Sequence, residues 1–245
     1  MLTTIWLNPG TLVIFGASLD AAPHSHYSIQ LVWPMSRALC QFDTGELSGP
    51  LIINSQVKHQ LQMDAGWVVL VEPRSHLGQQ LSECLGQQAV LPISGLIPSS
   101  VDAPKPSDNP APMLSPLFMA IGLDLDLSKT LSNSPAAISD ERITVLLNEL
   151  DRDLSGDWKA SKVARQVGLS EGRFLHLFSQ QMGISWRPYL LWRRMNCAIA
   201  AIAKGASATD AAHLAGFSDS AHMSRTFRRF FGMSLRQANS IFAAV

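Results

Sequence analysis

Three histidines give this 245-residue chain its clearest capacity for coordination chemistry. His24 and His26 flank a serine, so on an extended segment both rings point to one face, and His59 stands before a second apolar run. Three imidazoles brought together can hold a divalent metal. The reading adopted is that His24, His26 and His59 line an organic effector pocket or serve structure, with no metal and no other cofactor. Cys40, Cys84 and Cys197 are widely spaced, odd in number and form no CxxC pair. That pattern argues against a disulfide framework or zinc cluster and fits a reducing cytoplasm. Cys40 and Cys84 have no basic neighbours and are expected to be inert. Trp6, Trp33 and Trp67 are read as core residues of strands rather than walls of a ligand pocket. Paired carboxylates, a nucleophile elbow and a phosphate loop are all missing, so no enzymatic chemistry is expected.

The other available chemistry is recognition of a polyanion. The formal net charge is zero, but from residue 141 onward 14 Lys and Arg stand against 8 Asp and Glu, and before it 5 stand against 11. A basic end and an acidic end read as two modules, one suited to a nucleic acid. Within the basic end one segment occurs twice, VARQVGLSEGRFLHLFSQQMGIS from Val163 and AAHLAGFSDSAHMSRTFRRFFGMS from Ala211. Ala164, Gly168 and Ser170 match Ala212, Gly216 and Ser218. Each copy has the parts of a helix-turn-helix: a small residue for close approach, a glycine for the turn, and a hydroxyl to cap the second helix. Phe174, Leu177 and Phe178, and then Met223, Thr226, Phe227 and Phe230, would be buried. The groove-facing candidates are Ser170, Gly172, Arg173, Leu175, His176 and Ser179 in the first copy. In the second they are Ser218, Ser220, Ala221, Ser224, Arg225, Arg228 and Arg229.

These residues need positioning. Helices are expected at about 159–167, 171–181, 186–204, 208–215 and 219–231, with Gly168, Gly183, Gly205, Gly216 and Gly232 near their ends. Ser139 reads as the N-cap of a preceding helix through Ile143, Leu146, Leu147 and Leu150. Arg193 and Arg194 on the long helix suit a phosphate clamp or, for Arg194, an ion pair with that preceding helix. Lys159 and Lys162 suit backbone contacts or a solvated face. Upstream, Thr11–Phe15, Ile29–Trp33, Leu51–Ile53 and Trp67–Val71 read as short strands of an antiparallel barrel or sandwich. Ser75–Leu85 reads as a helix. Seven prolines between Pro92 and Pro116 mark a loop, and 116–127 is a further helix. No Lys or Arg precedes Arg37, and Pro9 and Gly10 break the apolar start, so neither a signal peptide nor a membrane helix is expected.

Residues from about Asp140 to Phe242 resemble the AraC/XylS DNA-binding domain. The carriers are GFSDSAHMSRTFRRFFGMS and, on the long helix, Tyr189, Arg194 and Ala198. The resemblance implies two helix-turn-helix units joined by one helix, so that both recognition helices read adjacent major grooves. A helix over 186–204 spans about 28 Å at about 1.5 Å per residue, against about 34 Å for a DNA turn. Leu235 departs from the usual proline and Ala238 from the usual aromatic, and Gly172 and Leu175 leave the first recognition helix few hydrogen-bonding groups. Domains fused before this module are often cupin-like barrels. The three histidines loosely resemble cupin positions, although Gln30 replaces the metal-binding glutamate.

The expected architecture is therefore an α+β two-domain chain. A cupin-like antiparallel β-barrel for effector sensing or dimerisation spans 1–127, and an all-α DNA-binding domain spans 139–245. The expected function is a cytoplasmic bacterial transcription regulator that binds double-stranded DNA under a small-molecule effector. Homodimerisation and contact with RNA polymerase are possible partnerships, and no membrane is involved. The alternatives are a cupin-type metal-dependent enzyme with a regulatory helical tail, and a helical interaction module that no longer binds DNA.

Overall fold

The computed structural model describes residues 4–8, 10–36, 38–95, 104–105, 107–123 and 138–237. They fall into two compact units, one within Met1–Pro135 together with Phe227–Val245, the other within Ala136–Thr226.

The first unit is built on a single sheet. Its strands are β1 (Thr4–Asn8), β2 (Thr11–Asp20), β3 (Ile29–Pro34), β4 (Ala38–Phe42), β5 (Gly45–Ser48), β6 (Leu51–Ile53), β7 (His59–Val71) and β8 (Val90–Pro92). All pairings are antiparallel, and the main path runs β1-β2-β7-β3-β6-β8. The long β7 organises it. One edge pairs with β2, while the other pairs first with β4 (Phe42↔His59) and then with β3 (Trp33↔Trp67). Gly66 lies where the partner changes. Its φ is 156°, and a Cβ there would stand 2.5 Å from the Trp33 carbonyl oxygen, so a side chain is sterically excluded.

The expected barrel is not formed. No pairing among the described residues joins β1 to β8, so the sheet stays open. Helices cover the face that closure would have buried. Alternate residues Val13 and Phe15, Ile29, Leu31 and Trp33, and Trp67, Val69 and Val71 share a core with two helices. These are α1 (His76–Leu85), contributing Leu77, Leu81 and Leu85, and α2 (Ala111–Met119), contributing Leu114, Leu117 and Phe118. Ser75 caps α1 by accepting from Gly78 N at 3.0 Å, as its position suggested. The second helix begins before the expected 116. Pro110 and Pro112 are tolerated in its first turn, where their missing N–H groups would have no partner; residues 124–127 lie outside the described residues.

The second part of the chain is helical: α3 (Glu141–Arg152), α4 (Ala160–Gln166), α5 (Glu171–Met182), α6 (Trp186–Ala203), α7 (Ala208–Leu214) and α8 (Ser220–Phe231). Each boundary lies within two residues of the periodicity reading. Gly168, Gly183, Gly205, Gly216 and Gly232 all adopt positive φ between 66° and 90° at helix ends. The cap of α3 is Asp140, whose carboxylate accepts from Arg142 N at 3.0 Å, rather than Ser139. The Ser139 hydroxyl donates instead to Gln181 Oε1 at 3.0 Å.

Candidate nucleic-acid interface

In the first copy, Ala164 of α4 is buried, as close helix approach requires, and Leu169 N donates to Ala164 O across the turn. Ser170 Oγ accepts from Arg173 N at a long 3.4 Å. Phe174, Phe178 and Met182 form the buried stripe of α5, packed edge-on to Trp186, while Leu177 is half-buried. Gly172, Arg173 and His176 are exposed; Leu175 and Ser179 are half-exposed.

The second copy repeats this design with different parts. Ala212 is buried, and Phe217 N donates to Ala212 O at 2.9 Å, the counterpart of the Leu169 bond. Met223, Thr226, Phe227 and Phe230 are buried, as their spacing suggests. The cap, however, is Asp219 rather than Ser218. Asp219 Oδ1 accepts from His222 N at 2.6 Å, and the Ser218 hydroxyl donates to Asp219 Oδ2 at 3.0 Å. The His222 N–H and then the Ser218 hydroxyl hold this carboxyl below its ordinary range, with Arg225 adding a smaller push. The motif contained the signal, because an aspartate three residues before His222 is a strong N-cap pattern. Ala221, Arg225, Arg228 and Arg229 are exposed, and Ser220 and Ser224 half-exposed. The Arg229 guanidinium lies over the Phe230 ring at 5.2 Å.

The long helix α6 runs unbroken through Trp192 and Cys197. Leu190, Met195 and Ile199 are buried, Leu191 and Ile202 half-buried, and Trp186, Tyr189, Trp192, Ala198 and Ala201 add a second buried side. Two of its three arginines are engaged within the protein. Arg193 pairs with Asp151 at the end of α3 and donates to Tyr189 Oη at 2.8 Å. Arg194 donates to the Leu154 and Gly156 carbonyls, each at 3.2 Å. Burial pulls the Arg194 guanidinium below its ordinary range, and Asp153 opposes that. Lys162 faces Asp157 at 3.9 Å. Lys159 and Arg187 are exposed beside an open groove of about 690 Å³, also lined by Leu175, Leu190 and His222.

In the sheet unit the three histidines are brought together. His24 and His59 exchange backbone N–H···O bonds of 2.9 Å in an isolated bridge, and their ring centroids are 4.4 Å apart. His26, two residues along, lies 5.7 Å from His24 and 5.4 Å from His59. All three are buried. Burial, aided by the neighbouring His59, lowers His24 to about 4 and His26 to about 3, and burial lowers His59 as well. Trp33 and Trp67 are core residues whose indole N–H groups find no acceptor among the described residues, and Trp6 stacks on Trp67 at 5.7 Å while donating to Asp108 O. Burial raises the Cys40 thiol to about 12 and raises Cys84 too. Neither residue therefore carries thiolate at neutral pH.

Residues 163–240 match a family model described as a helix-turn-helix domain. Over 97 residues the chain is 32% identical to the probable transcriptional regulator LumQ of Photobacterium leiognathi, covering 38% of this chain and 39% of that protein. Over 117 residues it is 35% identical to the virulence regulon transcriptional activator VirF of Yersinia enterocolitica, covering 47% and 41%. The chain thus spans about two fifths of the length of these relatives. Across its whole length it is similar to ToxT of Vibrio cholerae, with a TM-score of 0.53 and 13% identity over 99% of this chain and 98% of that one. That likeness concerns the fold, an antiparallel sheet followed by helices. Residues 163–240 are thus similar to a helix-turn-helix domain, and the matched stretches are similar to parts of known transcription regulators.

Proposed function

We propose that this protein is a DNA-binding transcription regulator, with its DNA-binding part within 139–245 and an effector-sensing part within 1–127. The observation that carries the reading is the pair of helix-turn-helix units, each presenting an exposed second helix with at least one arginine on its outer side. In this reading Ser170, Gly172, Arg173, Leu175 and His176 of the first unit face one major groove. Ser218, Ser220, Ala221, Ser224, Arg225, Arg228 and Arg229 of the second face the next. Lys159 and Arg187 meet phosphate, whereas Arg193 and Arg194 hold the helices together. The protein acts by binding, without chemistry on the DNA, and works in the cytoplasm. Among the described residues no helix is long and apolar enough to cross a membrane.

The effector is a small molecule taken by the sheet unit. ToxT, which shares the fold, has been solved with an unsaturated fatty acid bound. The candidate lining is His24, His26 and His59, which the sheet brings together in a buried cluster. A change in tryptophan fluorescence of the full chain on adding a medium-chain fatty acid would report effector binding, and no change would argue against a fatty-acid effector. The DNA reading is tested by binding the full chain to DNA from upstream of its own gene and to unrelated DNA at several salt concentrations. Affinity should fall linearly on a log–log salt scale and favour the upstream fragment. Absence of salt-dependent binding to either fragment would leave a helical interaction module instead.

A further inference from the structure

We propose that His24, His26 and His59 form a binding site for one divalent transition metal of the zinc, cobalt or nickel class. Backbone geometry assembles it. His24 and His59 are directly opposed in a hydrogen-bonded antiparallel bridge, which sets their side chains beside each other on one face. His26, two residues from His24, adds its ring to the same cluster. One ring nitrogen from each histidine lies within 4.8 Å of the other two. Nitrogens bound tetrahedrally at about 2.0–2.1 Å from zinc stand about 3.3 Å apart, so each ring need shift only by about 1 Å to close on an ion.

The orientation of the rings supports coordination. His24 Nδ1 lies 2.9 Å from Ala22 O, and His59 Nδ1 lies 2.9 Å from Val57 O. A carbonyl oxygen only accepts, so both Nδ1 atoms carry the proton and both Nε2 atoms keep their lone pairs. This backbone-anchored Nδ1–H is the arrangement that fixes metal-binding histidines elsewhere. His59 Nε2 is buried, His59 being only 2% exposed, and has no hydrogen-bond partner among the described residues. A buried acceptor left unmade costs about 1–3 kcal/mol, a penalty that a metal bond removes. His26 Nδ1 lies 3.0 Å from Ser28 O and 2.9 Å from Ser28 Oγ, and its Nε2 lies 2.9 Å from Gln30 Oε1, an acceptor that an ion bound at Nε2 would displace together with the ring proton. The low proton affinity of the cluster keeps the imidazoles neutral near pH 7, the form that binds metals. Three protein nitrogens leave a fourth position open, and with neutral ligands the bound ion keeps its charge, so an anionic group suits that position.

The test uses untagged full-length protein, stripped with a chelator and titrated with Co²⁺, following visible d–d absorption and bound metal after dialysis. One equivalent is expected, displaceable by Zn²⁺. His24→Gln and His59→Gln should each weaken binding by at least tenfold, whereas His76→Gln, altering an exposed histidine of α1, should leave it unchanged. Circular dichroism establishes that each variant is folded. Should His59→Gln fail to fold, His24→Gln at a less buried position decides. Failure of the wild type to retain one equivalent overturns the site, as does Co²⁺ absorption that persists in the folded histidine variants. DNA binding is not a readout here, so this result stands or falls apart from the regulator reading.

Discussion

Gly168 and Gly216 occupy the same place in the two helix-turn-helix copies, at φ 70° and 76°, yet their surroundings differ. A Cβ on Gly168 would meet nothing within 4 Å, while one on Gly216 would stand 2.4 Å from the Leu154 carbonyl oxygen and 3.0 Å from Arg194 Nε. The turn of the second copy is pressed onto the same loop that Arg194 grips through the Leu154 and Gly156 carbonyls. The turn of the first copy is open. Caps differ too, a neutral hydroxyl in one and a carboxylate in the other. So do the exposed arginines, with Arg173 on α5 against Arg225, Arg228 and Arg229 on α8. A repeated pattern therefore repeats local geometry, while neighbours decide what each position costs and contributes.

The largest expected effect breaks the symmetry of the glycines. Gly216→Ala should cost about 2–5 kcal/mol, the sum of left-handed strain of about 1–2 kcal/mol and overpacking of about 1–3 kcal/mol. Gly168→Ala should cost only the strain, about 1–2 kcal/mol. Urea denaturation of the two variants compares them, and equal losses would mean that the loop yields to the new methyl. Next in size is Arg225→Ala. A guanidinium reading guanine O6 and N7 contributes about 1–3 kcal/mol of base discrimination, so the operator should suffer selectively. Loss shared equally with unrelated DNA would make Arg225 a phosphate contact, and no loss would tie it to Asp219. Arg173→Ala in the first copy should change discrimination less.

Smaller again is the effect of Arg228→Ala, which should weaken all sequences alike and reduce the log–log salt slope by about 0.9. Arg229→Ala should do the same more weakly, since that guanidinium already rests on Phe230. Sequence-selective loss for Arg228→Ala would move base reading further along α8 than proposed. The smallest effect concerns pH. The folded Asp219 carboxyl titrates below its ordinary 3.8, so more protons bind there in the unfolded state. Its cap is fully present above the unfolded value and is lost as pH falls through the folded one. By NMR the His222 amide should therefore titrate below pH 3.8, while the Arg173 amide, capped by the Ser170 hydroxyl, should not. A shift in both amides would point to general acid unfolding rather than the cap.

The helical part was legible because its signals are local. A glycine that stops a helix, a buried stripe at helical spacing and an alanine at a close approach each act within a few residues, and Gly168, Phe174, Met223 and Ala212 all took their expected places. Ser218 misled because two capping residues stand side by side, and only the observed geometry shows that Asp219 accepts the His222 N–H. The sheet was half legible. Segments rich in branched and aromatic residues became β2, β3, β6 and part of β7, whereas β4 (ALCQF) and β5 (GELS) contain no β-branched residue, and the outer strands β1 and β8 lie outside those segments.

By itself the sequence determined the two helix-turn-helix units, their long connecting helix and the alternation that sends Val69 and Val71 into one core. Each depends on dihedral preference and periodicity along the chain. Tertiary structure alone decided that the sheet stays open, because α1 and α2 cover the face that closure would have buried. It also assigned Arg193 and Arg194 to Asp151 and to loop carbonyls rather than to phosphate. And it brought His59 to His24, since pairing across 35 residues depends on strand register, which no local pattern near either histidine encodes.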